Sequence, residues 1–190
     1  MPACQSEPIL DALKRVAALL REAEVPFALG GGLAAWARGG PPTEKDIDLL
    51  IREQDVERAQ HALVAAGLRT ATPPEGWLVK AWDGDVLIDL IFRPTGFDVD
   101  DDLLARCDEC SVHAVPMPVM RVDDLLTSKL LALTEHHLDY GAVLEVVRAL
   151  REQVDWPEAL RRRTRHSPFA RAFFCLVEEL GICSPTPVAT

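Results

Sequence analysis

The chain has 190 residues, about the size of one domain, of which 48% are hydrophobic and 26% charged. This composition supports a buried core and excludes an intrinsically disordered chain. Thirty acidic residues outnumber twenty basic ones, so the net charge of −10 excludes a protein that coats nucleic acid uniformly, although it permits a local basic site.

The first two-thirds of the chain alternates helix and strand patterns. Apolar residues at three- and four-residue spacings predict an opening helix over Pro8–Ala23. A strand over Pro26–Leu29 then runs into three glycines, Gly30 to Gly32, and a short helix over Leu33–Ala37. A strand is predicted over Asp46–Ile51, and a helix over Val56–Ala66 ends at a glycine.

Further strands are predicted between residues 77 and 119. Trp77–Trp82 and Val86–Phe92 flank Asp83–Asp85, which is typical of a tight hairpin turn. One more strand is predicted over Val112–Val119. Its two prolines cannot donate to a sheet ladder, so we expect this strand at a sheet edge.

From Val122 onward the pattern is helical. The predicted helices are Asp123–Thr134, His136–Gln153, Trp156–Arg163 and Phe169–Gly181. The sequence therefore predicts an α+β fold with a mixed sheet flanked by helices over residues 1–121. A C-terminal helical lobe follows over residues 122–183, and residues 184–190 form a flexible tail.

The segment patterns also bear on location and on metal binding by cysteine. No apolar stretch approaches the roughly 18 to 20 residues of a membrane span, and no signal-peptide pattern opens the chain. We therefore expect a cytoplasmic protein with no membrane partner. Five scattered cysteines form no secreted disulfide pattern. Cys107 and Cys110 have the C-x-x-C spacing of one ligand pair of a zinc site, but no second pair follows nearby.

Two carboxylates carry the strongest chemical signal. Residues two apart in a strand share a face, so Asp46 and Asp48 are predicted to project together. Neighbouring carboxylates repel each other unless a cation lies between them. Mg²⁺ suits such a site, because it takes one or two protein carboxylates and completes its coordination with water and phosphate oxygens.

A third carboxylate, Asp89, lies within the apolar strand Val86–Phe92. If this strand neighbours Asp46–Ile51, three aspartates converge, and the glycine turn supplies backbone N–H groups for a phosphate tail. Carboxylates, a metal and a phosphate cradle together indicate phosphoryl or nucleotidyl transfer by a two-metal scheme.

These motifs resemble those of the DNA-polymerase-β-like nucleotidyltransferase superfamily. The resemblance rests on Gly31 and Gly32, on Arg38 and Gly39, on Thr43–Leu49 with its Asp-x-Asp pair, and on Ile88–Leu90. The detail of Thr43–Leu49 looks especially like the small toxin-like branch that includes the AbiEii and MenT toxins, beside the antibiotic nucleotidyltransferases. Gly32 stands where several toxins have serine, and prolines replace an arginine often found before the threonine.

The resemblance implies a nucleotidyltransferase and a role for each residue. Asp46, Asp48 and Asp89 would bind Mg²⁺ or Mn²⁺. Gly31 and Gly32 would hold the triphosphate of an NTP substrate, and Lys129 would contact that triphosphate. Asp139 would assist near the active site.

Each of these residues also has a simpler interpretation. Asp46 and Asp48 could be a solvated strand start, and Asp89 could pair with Arg93 or Lys80 across the hairpin. The glycines could serve only the turn. Lys129 could be a surface lysine on an apolar helix, and Asp139 an exposed helix residue.

The acceptor is inferred from the helical lobe. Its arginines, which suit a phosphate backbone, are Arg148, Arg151, Arg161, Arg162, Arg163, Arg165 and Arg171. Together with the toxin-like resemblance, they favour a tRNA 3′ end as acceptor and a cognate antitoxin as partner. The alternatives are an antibiotic or protein nucleotidyltransferase, a non-catalytic partner in a toxin–antitoxin pair, and a solvated helix end for the arginines.

Overall fold

A computed structural model describes residues 7–43, 46–154 and 158–183. Several predicted features lie outside these residues: Cys4, the Glu44 and Lys45 positions of the acidic motif, Trp156, and the tail 184–190. The described chain divides into two compact units with the boundary between Arg121 and Val122. Among the described helices, none combines the length and the apolar character needed to cross a bilayer.

The first unit is built around a seven-stranded mixed sheet in the order β3-β4-β5-β2-β1-β7-β6. The strands are β1 (Phe27–Leu29), β2 (Ile47–Ile51), β3 (Arg69–Ala71), β4 (Leu78–Asp83), β5 (Val86–Ile91), β6 (Asp108–Val112) and β7 (Val115–Val119). The central β2 runs antiparallel to β1 and parallel to β5. The predicted α+β class with a mixed sheet is confirmed.

The described part of the first unit contains four α-helices, which pack with the sheet to form its core. They are α1 (Glu7–Glu22), α2 (Gly31–Ala37), α3 (Val56–Ala65) and α4 (Asp101–Ala105). Leu13, Val16 and Leu20 recur on one face of α1 and are almost fully buried. On the sheet, Ile47, Leu49 and Ile51 alternate with Asp48 and are fully buried. One face of β2 therefore builds the core, and the other carries the carboxylate.

The described part of the second unit contains four α-helices. They are α5 (Val122–Leu131), α6 (Tyr140–Leu150), α7 (Glu158–Thr164) and α8 (Pro168–Glu179). Phe173, Leu126 and Val147 are fully buried in its core. The Tyr140 hydroxyl donates to the Phe169 carbonyl at 2.8 Å, which ties α6 to the start of α8.

The strand predicted over Val112–Val119 is confirmed for β7, Val115–Val119, but it begins three residues too early and its expected edge position is wrong. Val112 is instead the last residue of β6. β6 and β7 form an antiparallel hairpin in which Val112 pairs with Val115. The turn residues His113 and Ala114 adopt positive φ angles without a glycine. The prolines do not place β7 at the edge, because β6 occupies it. The two prolines lie two positions apart, so their nitrogens, which carry no hydrogen, face the same side of β7. On that side β7 pairs with β1 only at Val119.

Candidate active site

Strand register brings the three predicted carboxylates together. Asp48 on β2 and Asp89 on β5 are direct partners in the parallel ladder. Asp46 immediately precedes β2, two residues before Asp48 and therefore on the same face. One ligand oxygen from each of the three residues lies within 4.8 Å of the others. We call these three residues the aspartate triad.

The triad lies at the border between core and solvent. Asp89 is 6% exposed, whereas Asp46 and Asp48 are half-buried. Burial raises the pKa of the Asp89 carboxyl above its ordinary value, and the nearby Asp46 acts in the same direction, while a hydrogen bond from Lys80 opposes both. The strand register therefore holds these carboxylates together against their mutual repulsion.

Lys80 on β4 lies beside the triad. The antiparallel register of β4 and β5 sets Lys80 opposite Asp89. The Lys80 Nζ donates to both carboxylate oxygens of Asp89, at 3.0 and 3.2 Å. The simpler interpretation from the sequence, in which Asp89 pairs with Lys80, is therefore confirmed. Asp89 also belongs to the triad.

The glycine turn lies directly against Asp48. The Gly30 N–H donates to the Asp48 carbonyl at 2.8 Å, which joins the end of β1 to the start of β2. Gly31 has a φ of +56°, and a Cβ at this position would overlap the Asp48 carboxylate. A Cβ at Gly32 would lie 2.9 Å from the Thr43 Oγ1. Both glycines therefore keep the backbone close to residues of the acidic motif.

Arg38 fixes the far end of α2. Its guanidinium donates to the carbonyls of Met120 and Val119 and to the Asp108 carboxylate, each at 2.8 Å. The arginine of the predicted motif thus anchors the helix that follows the glycine turn to the β6–β7 hairpin.

The donor set of the triad fits a hard divalent cation. Three carboxylates supply oxygen ligands only, which is the preference of Mg²⁺ and Mn²⁺. Within the described residues, this triad is the group of three histidine, cysteine or acidic side chains close enough to share an ion. Cys107 instead donates from its Sγ to the Leu103 carbonyl, and nothing described supports a zinc site with Cys110.

Lys129 and Asp139 belong to the second unit. Lys129 is half-buried on α5. Asp139 is exposed and caps α6, because its Oδ1 accepts a hydrogen bond from the Ala142 N–H at 3.0 Å. The structure therefore gives Asp139 a structural task, and the roles of both residues in catalysis stay predictions.

Part of the arginine set stabilises the second unit. Arg163 binds the buried carboxylate of Asp124 at 2.6 Å, and Arg161 binds Glu178 at 2.5 Å. Arg171 donates to the Arg165 carbonyl at 2.9 Å. Arg148 and Arg162 are exposed, as is the side chain of Arg165.

A family match over almost the whole chain establishes the class of this protein. The chain belongs to a family described as uncharacterised nucleotidyltransferases, whose model matches residues 3–181. The predicted enzyme class is therefore confirmed, whereas the toxin-like branch stays a prediction. No curated protein shows significant sequence similarity to the chain.

Solved structures share the fold at low sequence identity. An antigenic nucleotidyltransferase-like protein from Paracoccidioides brasiliensis is 14% identical with a TM-score of 0.59, and the match covers 93% of this chain and 90% of that one. ANT(2″)-Ia in complex with adenylyl-2″-tobramycin is 20% identical with a TM-score of 0.51, covering 88% and 97%. The lincosamide antibiotic adenylyltransferase LnuA, bound to lincomycin, is 13% identical with a TM-score of 0.50, covering 89% and 98%.

Proposed function

We propose that this protein is a metal-dependent nucleotidyltransferase that moves an NMP from an NTP to an acceptor hydroxyl with release of pyrophosphate. The observation that carries the proposal is the aspartate triad, with its ligand oxygens within 4.8 Å of one another beside a glycine turn. Asp46, Asp48 and Asp89 would hold Mg²⁺ or Mn²⁺. Bound there, the metal would stabilise negative charge on the transferred phosphate and on the leaving group.

The proposed transfer exchanges one bond at the α-phosphorus for another. The acceptor hydroxyl oxygen forms a bond to the α-phosphorus, and the bond from the α-phosphorus to the oxygen bridging to the β-phosphate breaks. Pyrophosphate leaves with that bonding pair, and the hydroxyl proton passes to the Asp89 carboxylate. Gly31 and Gly32 would hold the triphosphate through the backbone, and Lys129 would neutralise part of its charge. Asp139 would assist beside its capping role.

Label position distinguishes this reaction from phosphoryl transfer. Incubation with Mg²⁺ and an α-labelled NTP should label the acceptor, whereas a γ-labelled NTP should label only pyrophosphate. An Asp48→Asn variant should lose about 100-fold or more in transfer rate, because a triad oxygen ligand is replaced. Asp11→Asn, which changes an exposed aspartate on α1, should retain full activity. Label from the γ-position in the acceptor, or an active Asp48→Asn variant, would contradict the proposal.

Two acceptor classes have support. A tRNA 3′ hydroxyl is favoured by the toxin-like motif and by exposed arginines of the helical unit. A toxin of this kind would have a cognate antitoxin as its partner. A small cationic antibiotic is favoured by the net charge of −10 and by two structural neighbours named for antibiotic complexes.

Salt dependence separates these acceptors. Transfer to tRNA should weaken steeply between 50 and 200 mM salt, roughly 10³-fold for six phosphate contacts. Transfer to an aminoglycoside should fall far less, because few charges are involved. Total RNA, cell protein and an aminoglycoside panel, each offered with every α-labelled NTP, identify which class takes the label.

A further inference from the structure

Lys80 lies within β4, between two residues of the core. Its neighbours Val79 and Ala81 face the core and are almost fully buried. Lys80 faces the other way, with its side chain 33% exposed, and its Nζ contacts both oxygens of the nearly buried Asp89 carboxylate. Replacing a buried ion pair by well-packed apolar residues is often neutral or stabilising, so stability alone does not explain this lysine.

Lys80 offsets part of the negative charge of the triad. Three carboxylates with oxygens within 4.8 Å repel one another, and each also repels an approaching triphosphate. One ammonium group reduces the formal charge of the cluster from −3 to −2. Because Lys80 contacts both Asp89 oxygens, it also fixes the rotation of that carboxylate toward β4.

We propose that Lys80 is a positioning residue of the transfer reaction, which orients the Asp89 carboxylate and supplies one positive charge to the triad. This inference rests on the proposed function and adds a residue to it. Two consequences follow. Loss of Lys80 should slow the chemical step more than it weakens NTP binding, because the proton acceptor loses its orientation. It should also strengthen cation binding by the nucleotide-free protein, because a competing positive charge is removed.

The test measures both consequences in a Lys80→Met variant. The expected kcat falls by about 10- to 100-fold, as for a reacting group displaced by up to 1 Å, with little change in KM for the NTP. The affinity of the free protein for Mn²⁺, followed by electron paramagnetic resonance, should tighten by about tenfold. Lys80→Arg keeps the charge and should keep the wild-type Mn²⁺ affinity.

Two further variants make the test decisive. Lys14→Met removes another lysine, which pairs with Asp11 at 3.5 Å on the exposed face of α1, and should change neither quantity. Lys80→Gln keeps an N–H donor without the charge, and it provides the same Mn²⁺ measurement if Lys80→Met does not fold.

Wild-type values of kcat and Mn²⁺ affinity in a folded Lys80→Met or Lys80→Gln protein would overturn the role of Lys80 while leaving nucleotidyl transfer intact. A wild-type protein that neither binds Mn²⁺ nor transfers a nucleotide would overturn the proposed function as well.

Discussion

Gly31 and Asp48 depend on each other at the level of single atoms. The positive φ of Gly31 and the space above its Cα allow the Asp48 carboxylate to lie against the turn. A side chain at this position would claim the same space. The glycine therefore does more than permit a turn, because it leaves room for the Asp48 carboxylate.

A Gly31→Ala substitution tests this contact. The added Cβ would displace the Asp48 carboxylate, so we expect transfer activity to fall by about 100-fold. The matched control is Gly67→Ala, where φ is +87° and no described atom lies within 4 Å of the added Cβ. The control should lose about 1 kcal/mol of stability from its backbone conformation and retain its activity. Equal activities of the two variants, measured by pyrophosphate release, would contradict the role of the Asp48 contact.

At the scale of elements, Arg38 joins a seven-residue helix to a hairpin that lies 70 to 81 residues away in sequence. Such a short helix is not stable alone, so tertiary contacts must hold α2 in place. The three hydrogen bonds of the Arg38 guanidinium supply such contacts, and its side chain is only 9% exposed.

Arg38→Ala should therefore destabilise the protein. We expect a loss of about 2 to 3 kcal/mol in urea unfolding, because buried carbonyls lose a charged donor. Arg121→Ala changes an exposed arginine next to Met120 and should stay within about 0.5 kcal/mol of the wild type. A similar loss in both variants would show that Arg38 is not the anchor of α2.

The second unit contains a comparable contact between α5 and α7. Asp124 is 2% exposed and pairs with Arg163. Arg163→Ala would leave this carboxylate buried without its guanidinium, at a cost of about 3 kcal/mol or more. The adjacent Arg162 is exposed, and Arg162→Ala should change stability by less than about 0.5 kcal/mol. Thermal unfolding of the two variants measures the difference, and equal melting temperatures would refute the assignment.

Local sequence signals predict much of the element order and the site. The Asp-x-Asp pair and the glycine turn are close in sequence, and each has a distinct pattern. The hairpin turn at Asp83–Asp85 even sets the pairing of Lys80 with Asp89, because counting outward from Asp83 and Val86 reaches that pair. The sequence left open whether Asp89 forms an ion pair or belongs to the carboxylate cluster. In the structure Asp89 pairs with Lys80 and also lies within the aspartate triad, and its role as a metal ligand stays a prediction.

Other elements carry no local signal of that strength. The β6–β7 turn lacks glycine and asparagine, and β3 has three residues that are mostly exposed. The acidic run Asp98–Asp102 has no apolar periodicity, yet it contains the start of α4, where the Asp100 carboxylate accepts a hydrogen bond from the Leu103 N–H at 2.7 Å. The neighbours of Asp48 on β1 and β5 come from distant segments, so its environment depends on sheet topology rather than on local pattern.

At the scale of the whole molecule, the family match spans both units. It covers residues 3–181, so the helical unit is part of the family pattern and not an added segment. Three of the thirty acidic residues form the triad, and the charge of these three would be offset by a bound cation. The acidity of the chain is therefore compatible with an NTP substrate.

The proposal that the aspartate triad binds a divalent cation and an NTP is tested most directly by the location of Mn²⁺ in crystals grown with Mn²⁺ and a non-hydrolysable NTP analogue. We expect an anomalous peak about 2.1 Å from carboxylate oxygens of Asp46 and Asp48, on the side of Asp89, with analogue phosphate oxygens completing the coordination. An ordered analogue whose phosphates and metal lie away from the aspartate triad would contradict it.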